Sequence, residues 1–233
     1  MAVRPKVKIV AVIPAYNEET TITDLVKRAL QYVNCGVIVV DDGSIDQTGW
    51  IAEKAGAEAV KLWRNFGAGG ATRMGLGFAK ARDADVVVTL DGDGQHNPFE
   101  IPDVIAPILD SSADLVIGSR FIGDYKMPAY RRFGIWVITE LYNIGSRDRV
   151  RDSQSCFRAY SRKALELLEI TEDGFAFSVE TLIKARKNRL RIVEVPITCH
   201  YHERYWDNST LNPVRHGLSV AWATIKWRLR LVT

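Results

Sequence analysis

Residues 85–96 read DVVVTLDGDGQH. A short β-branched run without a polar face, ending abruptly in acids and glycines, is a strand buried on both sides whose carboxyl end opens into a ligand-type loop. The same form recurs at Val7–Ile13 (VKIVAVI), Gly36–Val40 (GVIVV), Ala57–Trp63 and Asp114–Gly118 (DLVIG). Helical patterns lie between these runs. Thr21–Tyr32 places Ile22, Leu25, Val26, Ala29 and Leu30 on one stripe, with Thr20 or Thr21 as N-cap. Ile45–Ala55, Gly70–Arg82 and Pro98–Leu109 follow, Pro98 suiting a first helical turn. The alternation predicts an α/β fold, an open and mostly parallel sheet flanked by helices on both faces. Ligands of such sheets sit at the carboxyl ends of the strands.

After Arg120 the rhythm loosens. A helix is expected from about Ile135 to Ile144, a strand at Ser155–Tyr160, and helices at Arg162–Leu168 and Val179–Lys187. An Arg189–Val195 strand and a last helix after Pro213 complete the chain.

Composition narrows the classes. With 233 residues, 47% hydrophobic and 25% charged, the chain is neither disordered, collagenous nor a disulfide scaffold. Cys35, Cys156 and Cys199 form no framework and no CxxC, which points to a reducing, cytoplasmic setting. The N-terminal run is too short for a signal peptide, and no window is apolar enough to span a bilayer. The net charge of +3 conceals a division. Residues 1–119 carry 11 basic and 16 acidic groups, a net −5; residues 120–233 carry 20 and 12, a net +8. An acidic half beside a basic half implies different ligand duties.

The strand ends carry the chemistry. Asp91, Asp93 and Gln95, spaced by glycines, make a compact oxygen-rich group suited to Mg²⁺ or Mn²⁺, a hard cation that leaves positions for phosphate oxygens. An acidic end to the second strand (Asp41-Asp42-Gly43-Ser44) would also hold a ribose in dinucleotide-binding folds. Those require a GxGxxG turn after the first strand, where this chain has PAYNE. His96 reads as a residue that orients the loop rather than as an acid.

Taken in order, IPAYNE, VVDDGSID, DGDGQH, IGSRF, the YRR segment, DSQSCFRAYSR and VEVPI resemble family 2 glycosyltransferases of the glycosyltransferase A fold, in particular the dolichyl-phosphate (polyprenyl-phosphate) mannosyl- and glucosyltransferases. The resemblance runs over about residues 7–217. It implies inverting transfer of a hexose from a UDP- or GDP-sugar to polyprenyl (dolichyl) phosphate, with Mg²⁺ or Mn²⁺. By position it implies that Pro14, Ala15, Tyr16, Glu18, Val40, Asp42, Asp91 and Gly92 bind the nucleotide, Val40 and Asp42 at the base. It makes Asp91, Asp93 and Gln95 the metal motif and Asp93, Arg120 and Arg204 the catalytic set. Arg120, Arg131 and Arg132 are implied for the acceptor phosphate. The chain departs from the family pattern at Ala68 (commonly Lys), Cys156 (commonly Gly) and Ile135 (commonly small and polar).

The domain expectation is one catalytic unit over 1–217, with 1–119 as nucleotide and metal half and 120–217 as acceptor half, followed by a basic amphipathic helix over 218–233. On that last helix Val214, Leu218, Ala221, Trp222, Ile225 and Leu229 form the stripe expected to pack on the domain. Val220, Trp227 and Leu231 lie roughly opposite. Tryptophan with interleaved Lys and Arg suits an interfacial helix, so peripheral contact with a membrane is expected there, with a packed terminal helix or an oligomer contact as the alternative. No nucleic-acid partner is expected. A hydroxyl acceptor would require a general base, and Asp152 and Glu180 are the candidates. A nucleotide-sugar-binding module without turnover is the non-catalytic alternative.

Overall fold

A computed structural model describes residues 7–122, 127–146, 148–199 and 213–229; of the side chains at 213–216 and 218 nothing is said. Seven strands form one sheet. They are β1 (Ile9–Ala15), β2 (Val37–Asp41), β3 (Glu58–Lys61), β4 (Val86–Thr89), β5 (Leu115–Ser119), β6 (Arg158–Ser161) and β7 (Ile192–Pro196), in the order β3-β2-β1-β4-β6-β5-β7. β1 pairs in parallel with β2 and β4, β2 with β3, and β5 with β7. β6 runs antiparallel between β4 and β5.

Four of the predicted apolar runs are β1, β2, β4 and β5; the fifth, Ala57–Trp63, is the edge strand β3 and is not buried on both faces, because it has a neighbour on one side only. β2, β4 and β5 are buried along their whole length, and the edges β3 and β7 are the half-exposed ones. Successive residues alternate between two cores, as a pleated strand requires. Val10, Val12, Ile38 and Val40 face α3 (Ala68–Ala81), α5 (Ala129–Asn143), α6 (Arg162–Leu167), α7 (Phe177–Lys187) and α8 (Pro213–Leu229). Ala11, Ile13, Val37 and Val39 face α1 (Ile22–Ala29), α2 (Thr48–Ala55) and α4 (Ile101–Leu109). Each fully buried aliphatic side chain contributes about 1.5–3 kcal/mol, and this double layer is the main source of stability.

Some local features refine the expectation. A 3-10 turn over Pro98–Glu100, capped by the Asn97 side chain, precedes α4. α3 lies close on β1 because residue 75 is glycine; a Cβ there would collide with Val12 Cγ1. α5 begins at Ala129, six residues before the predicted start, with Pro128 as its N-cap.

On α8 the expected face is only partly kept: Ala221 packs on the core as expected, and the side chains of Val214 and Leu218 lie outside those described. Val220 and Thr224 are buried and Trp227 packs on the core, whereas Trp222, Ile225 and Leu229 are exposed. Polar handles choose the orientation. Trp227 Nε1 donates to Glu172 Oε1 at 2.8 Å, and Arg228 Nη1 donates to the Leu141 and Tyr142 carbonyls at 2.6 and 2.9 Å. Leu231 lies outside the described residues.

Candidate active site

The carboxyl ends of β1, β2 and β4 converge, and hydrogen bonds between backbone and side chains weld their loops. Asn17, held at φ 57°, accepts from Ile45 N at 3.0 Å while its own N–H reaches Ser44 Oγ at 2.9 Å. Glu18 N donates to Thr48 Oγ1 at 2.8 Å. Gly92 N donates to Pro14 O at 3.1 Å, and a side chain at residue 92 would run into Ala15. Thr21 Oγ1 donates to Gly92 O at 2.8 Å and fixes the start of α1 to the DGDGQH loop. Pro14, Ala15, Tyr16, Glu18, Asp91, Gly92 and Asp93 are thereby gathered at one mouth, with Tyr16 exposed at its rim.

The mouth is short of positive charge. Burial, with repulsion from Asp93, pushes Glu18 up to about 7. Asp91 is raised to about 6 by burial, against the pull of Arg120. Asp93 is raised to about 6 by burial and by the charge of Asp91. Crowded carboxylates that resist ionising together are the donor chemistry of a hard divalent cation, so the residues present fit one. Among the described residues no group of three or more His, Cys, Asp or Glu forms a ready cation cage.

Gln95 is tied to Asp93. Its Nε2 donates to Asp93 Oδ2 at 2.7 Å, its backbone N–H to Asp93 Oδ1 at 3.0 Å, and its Oε1 faces Cys199 Sγ at 3.8 Å. It holds Asp93 in place. His96 orients the loop as expected. Its Nδ1 accepts from Asp91 N at 3.2 Å, and burial lowers it to about 4, which keeps the ring neutral.

Val40 and Asp42 lie deeper. Val40 is wholly buried, its side chain in the core and its main chain in the ladder between β1 and β3. Asp42 accepts from Phe66 N and Gly67 N, each at 2.8 Å, so one lone pair on each oxygen shapes the loop before α3. The glycines of that loop serve packing. Gly69 N and Gly70 N donate to Asp173 O at 2.7 and 3.1 Å, and a Cβ at residue 69 would strike Glu172 O.

On the basic side, Asp152 clamps Arg120. Arg120 Nε and Nη2 donate to its two oxygens at 2.7 and 2.9 Å, and Arg120 N adds a third bond at 3.1 Å. Burial pushes the Asp152 carboxyl up, but the charge and hydrogen bonds of Arg120 outweigh it and hold the group below the usual range. Gln154 N and Ser155 N also donate to it. Glu180 is just as occupied, accepting from Thr171 N, Thr171 Oγ1, Glu172 N and Lys184 Nζ at 2.6–2.8 Å. Arg131 and Arg132 occupy the first turn of α5, Arg132 exposed. Arg204 lies outside the described residues.

Sequence reasoning missed Arg158. This guanidinium is fully buried and donates to the carbonyls of Ser155, Ser178 and Ser153 at 2.8, 2.8 and 2.9 Å. No carboxylate among the described residues lies within 4 Å of it. Its charge acts on Asp91 from beneath the mouth. An arginine between Phe157 and Ala159 in a buried strand is the signal that was available.

The glycosyl transferase family 2 model matches residues 10–168. The chain belongs to that family and is a glycosyltransferase. The UDP-N-acetylglucosamine–dolichyl-phosphate N-acetylglucosaminyltransferase of Methanococcus voltae is 37% identical over 217 residues, covering 84% of this chain and 86% of that protein. The undecaprenyl-phosphate mannosyltransferase of Micrococcus luteus is 31% identical over 246 residues, covering 96% and 100%. Among solved structures, glucosyl-3-phosphoglycerate synthase of Mycobacterium tuberculosis with Mn²⁺, UDP and phosphoglyceric acid superposes at a TM-score of 0.71 and 23% identity, over 96% of this chain and 78% of that one. The match shows that the sheet and its helices are the glycosyltransferase A fold.

Proposed function

We propose that the protein is an inverting glycosyltransferase that moves a hexose from a UDP- or GDP-sugar to polyprenyl (dolichyl) phosphate. The observation that carries the acceptor class is the condition of Asp152 and Glu180. Both candidate general bases are fully buried and saturated with donors, so neither is placed to take a proton from a sugar hydroxyl. An acceptor phosphate needs no such help, because its oxygen is already anionic. The relatives with different sugars share a polyprenyl phosphate in their names.

Asp91 and Asp93 would hold Mg²⁺ or Mn²⁺, the remaining positions falling to diphosphate oxygens and water. Such a cation, when bound, neutralises charge gathering on the leaving diphosphate. The Pro14–Glu18 loop would hold the nucleoside from one side and Asp42 its base. Arg120, kept straight by Asp152, adds fixed positive charge at the phosphates, and Arg204 is assigned the same duty from its motif. An acceptor phosphate oxygen, positioned by Arg131 and Arg132, attacks C1 from the face opposite the diphosphate. The C1–O bond to the nucleotide breaks with its electron pair on the leaving oxygen, and no proton moves.

Residues 1–119 are read as the nucleotide and metal half, 120–217 as the acceptor half, and the terminal helix as a peripheral contact on the cytoplasmic membrane face. Among the described residues no helix is long and apolar enough to cross a membrane. The test is product formation. Polyprenyl phosphate, Mn²⁺ and a panel of UDP- and GDP-sugars should yield one glycosyl phosphoryl lipid by mass spectrometry. Glycosylation of hydroxyl acceptors with none on the phosphate would overturn the reading.

A further inference from the structure

The segment over residues 150–155 has no helix or strand of its own, so its main-chain groups need partners from elsewhere. Side chains supply them. Asn143 holds both sides of Val150, donating to its carbonyl at 2.8 Å and accepting from its N–H at 3.0 Å. Thr139 Oγ1 accepts from Ser153 N at 3.2 Å, and Arg158 takes the carbonyls of Ser153 and Ser155. The middle of the segment belongs to β7. Glu194 Oε2 accepts from Arg151 N at 2.8 Å, and its Oε1 from Asp152 N at 2.9 Å.

A carboxylate is an unexpected choice for that duty. An N–H needs no charged acceptor, and burial lifts the Glu194 carboxyl above its ordinary range despite both bonds. Among the described residues no lysine or arginine side chain pairs with it, and the neighbouring Asp152 carboxylate adds repulsion. What a carboxylate alone offers here is geometry. Its two oxygens take two successive N–H groups, whereas an amide brings one oxygen and turns a donor on the other group. Holding the N–H groups of Arg151 and Asp152 together fixes the backbone entering Asp152, and with it the direction in which that side chain leaves. That side chain in turn holds Arg120 through Nε, Nη2 and the main-chain N–H, at 2.7, 2.9 and 3.1 Å. Strand register brings the parts together: Glu194 lies opposite Ile117 on β5, which ends at Ser119 just before Arg120.

We infer that Glu194 is a positioning residue for glycosyl transfer: bound to the two N–H groups, it aims Asp152 and, through Asp152, the Arg120 guanidinium at the donor diphosphate. The inference rests on the duty proposed above for Arg120 at the phosphates. A charge that stabilises a leaving group must stand where the opposite charge develops, and small misplacements slow the reaction steeply. Loosening Glu194 therefore slows turnover more than it weakens donor binding.

The test is a double-mutant cycle in the whole protein, with polyprenyl phosphate, Mn²⁺ and the UDP- or GDP-sugar that supports transfer. Glu194→Gln should lower kcat about tenfold while the donor KM moves less than about twofold. In the Asp152→Asn background the same substitution should cost nothing further, because the path runs through that carboxylate. A full rate in Glu194→Gln, a loss confined to KM, or an equal loss in both backgrounds would overturn the inference; the last is what a residue that only supports the fold would give. If Glu194→Gln does not fold, Glu194→Asp, which keeps the charge on a shorter stem, carries the same cycle. Arg120→Met separates the inference from the reading beneath it. A full rate in that variant removes the duty of Arg120 and the inference with it; a slow Arg120→Met beside a fast Glu194→Gln removes the inference alone. Nucleotide release without acceptor is followed in parallel. A wild type that releases nucleotide but leaves polyprenyl phosphate untouched counts against the acceptor reading only, and the cycle is then read on that release.

Discussion

Two sets of carboxylates lie in the same molecule in opposite conditions. Glu18, Asp91 and Asp93 crowd one mouth, each pushed up by burial, and Glu18 and Asp93 further by their acidic neighbours. Asp152 and Glu180 are buried more completely, yet every oxygen receives donors. Burial therefore does not separate structural from functional acids here. Satisfaction does. A cluster starved of positive charge stores repulsion that a bound cation relieves, whereas a carboxylate paired with an arginine or lysine is a fastener.

The comparison breaks most sharply at Asp93. Asp93→Ala should reduce transfer by about 10³-fold, in the range of losing a preorganised electrostatic group, while melting stays level or rises because repulsion is relieved. A variant that unfolds instead would move Asp93 into the structural set. Next comes Arg158→Met, which leaves three buried carbonyls without a donor. Stability should fall by about 3–5 kcal/mol, read as a drop in the denaturant midpoint.

Asp152→Asn sharpens the difference between fastener and base. It keeps the shape and loses the charge that straightens Arg120. Turnover should fall about tenfold to a hundredfold, with the pH profile of transfer unchanged in form; loss of a basic limb would instead identify a base. The smallest effect lies far from the site. Asp114 is held down to about 2, mainly by its hydrogen bond to Arg191. Its pKa is depressed in the folded state, so its contribution is full above the ordinary carboxylate range and is lost as pH falls from about 4 to 2. Asp114→Asn should cost about 1–2 kcal/mol at pH 7, a cost that shrinks as pH falls towards 2 and is gone only below it.

Much of this was legible in the sequence because the relevant physics is local. Doubly buried strands must read as apolar runs, and DVVVTLDGDGQH shows both strand and site. The insertion of β6 between β4 and β5 was not legible, since pairing partners are set by the whole sheet. The faces of α8 were partly misjudged because the larger apolar stripe was sent inward. The smaller face wins through Trp227 on Glu172 and Arg228 on the end of α5, contacts more than 50 residues apart in sequence. Gln95 is read as a ligand from its spacing in the DGDGQ motif; in the structure its amide donates to Asp93, the carboxylate two residues away.

The most direct measurement is thermal stabilisation by UDP- and GDP-sugars, with and without Mn²⁺, in wild type and Asp93→Ala. A site built on starved carboxylates should show one nucleotide-sugar that raises the melting temperature only with the cation, an increment the variant loses. Stabilisation that ignores the cation, or that survives Asp93→Ala intact, would contradict the account.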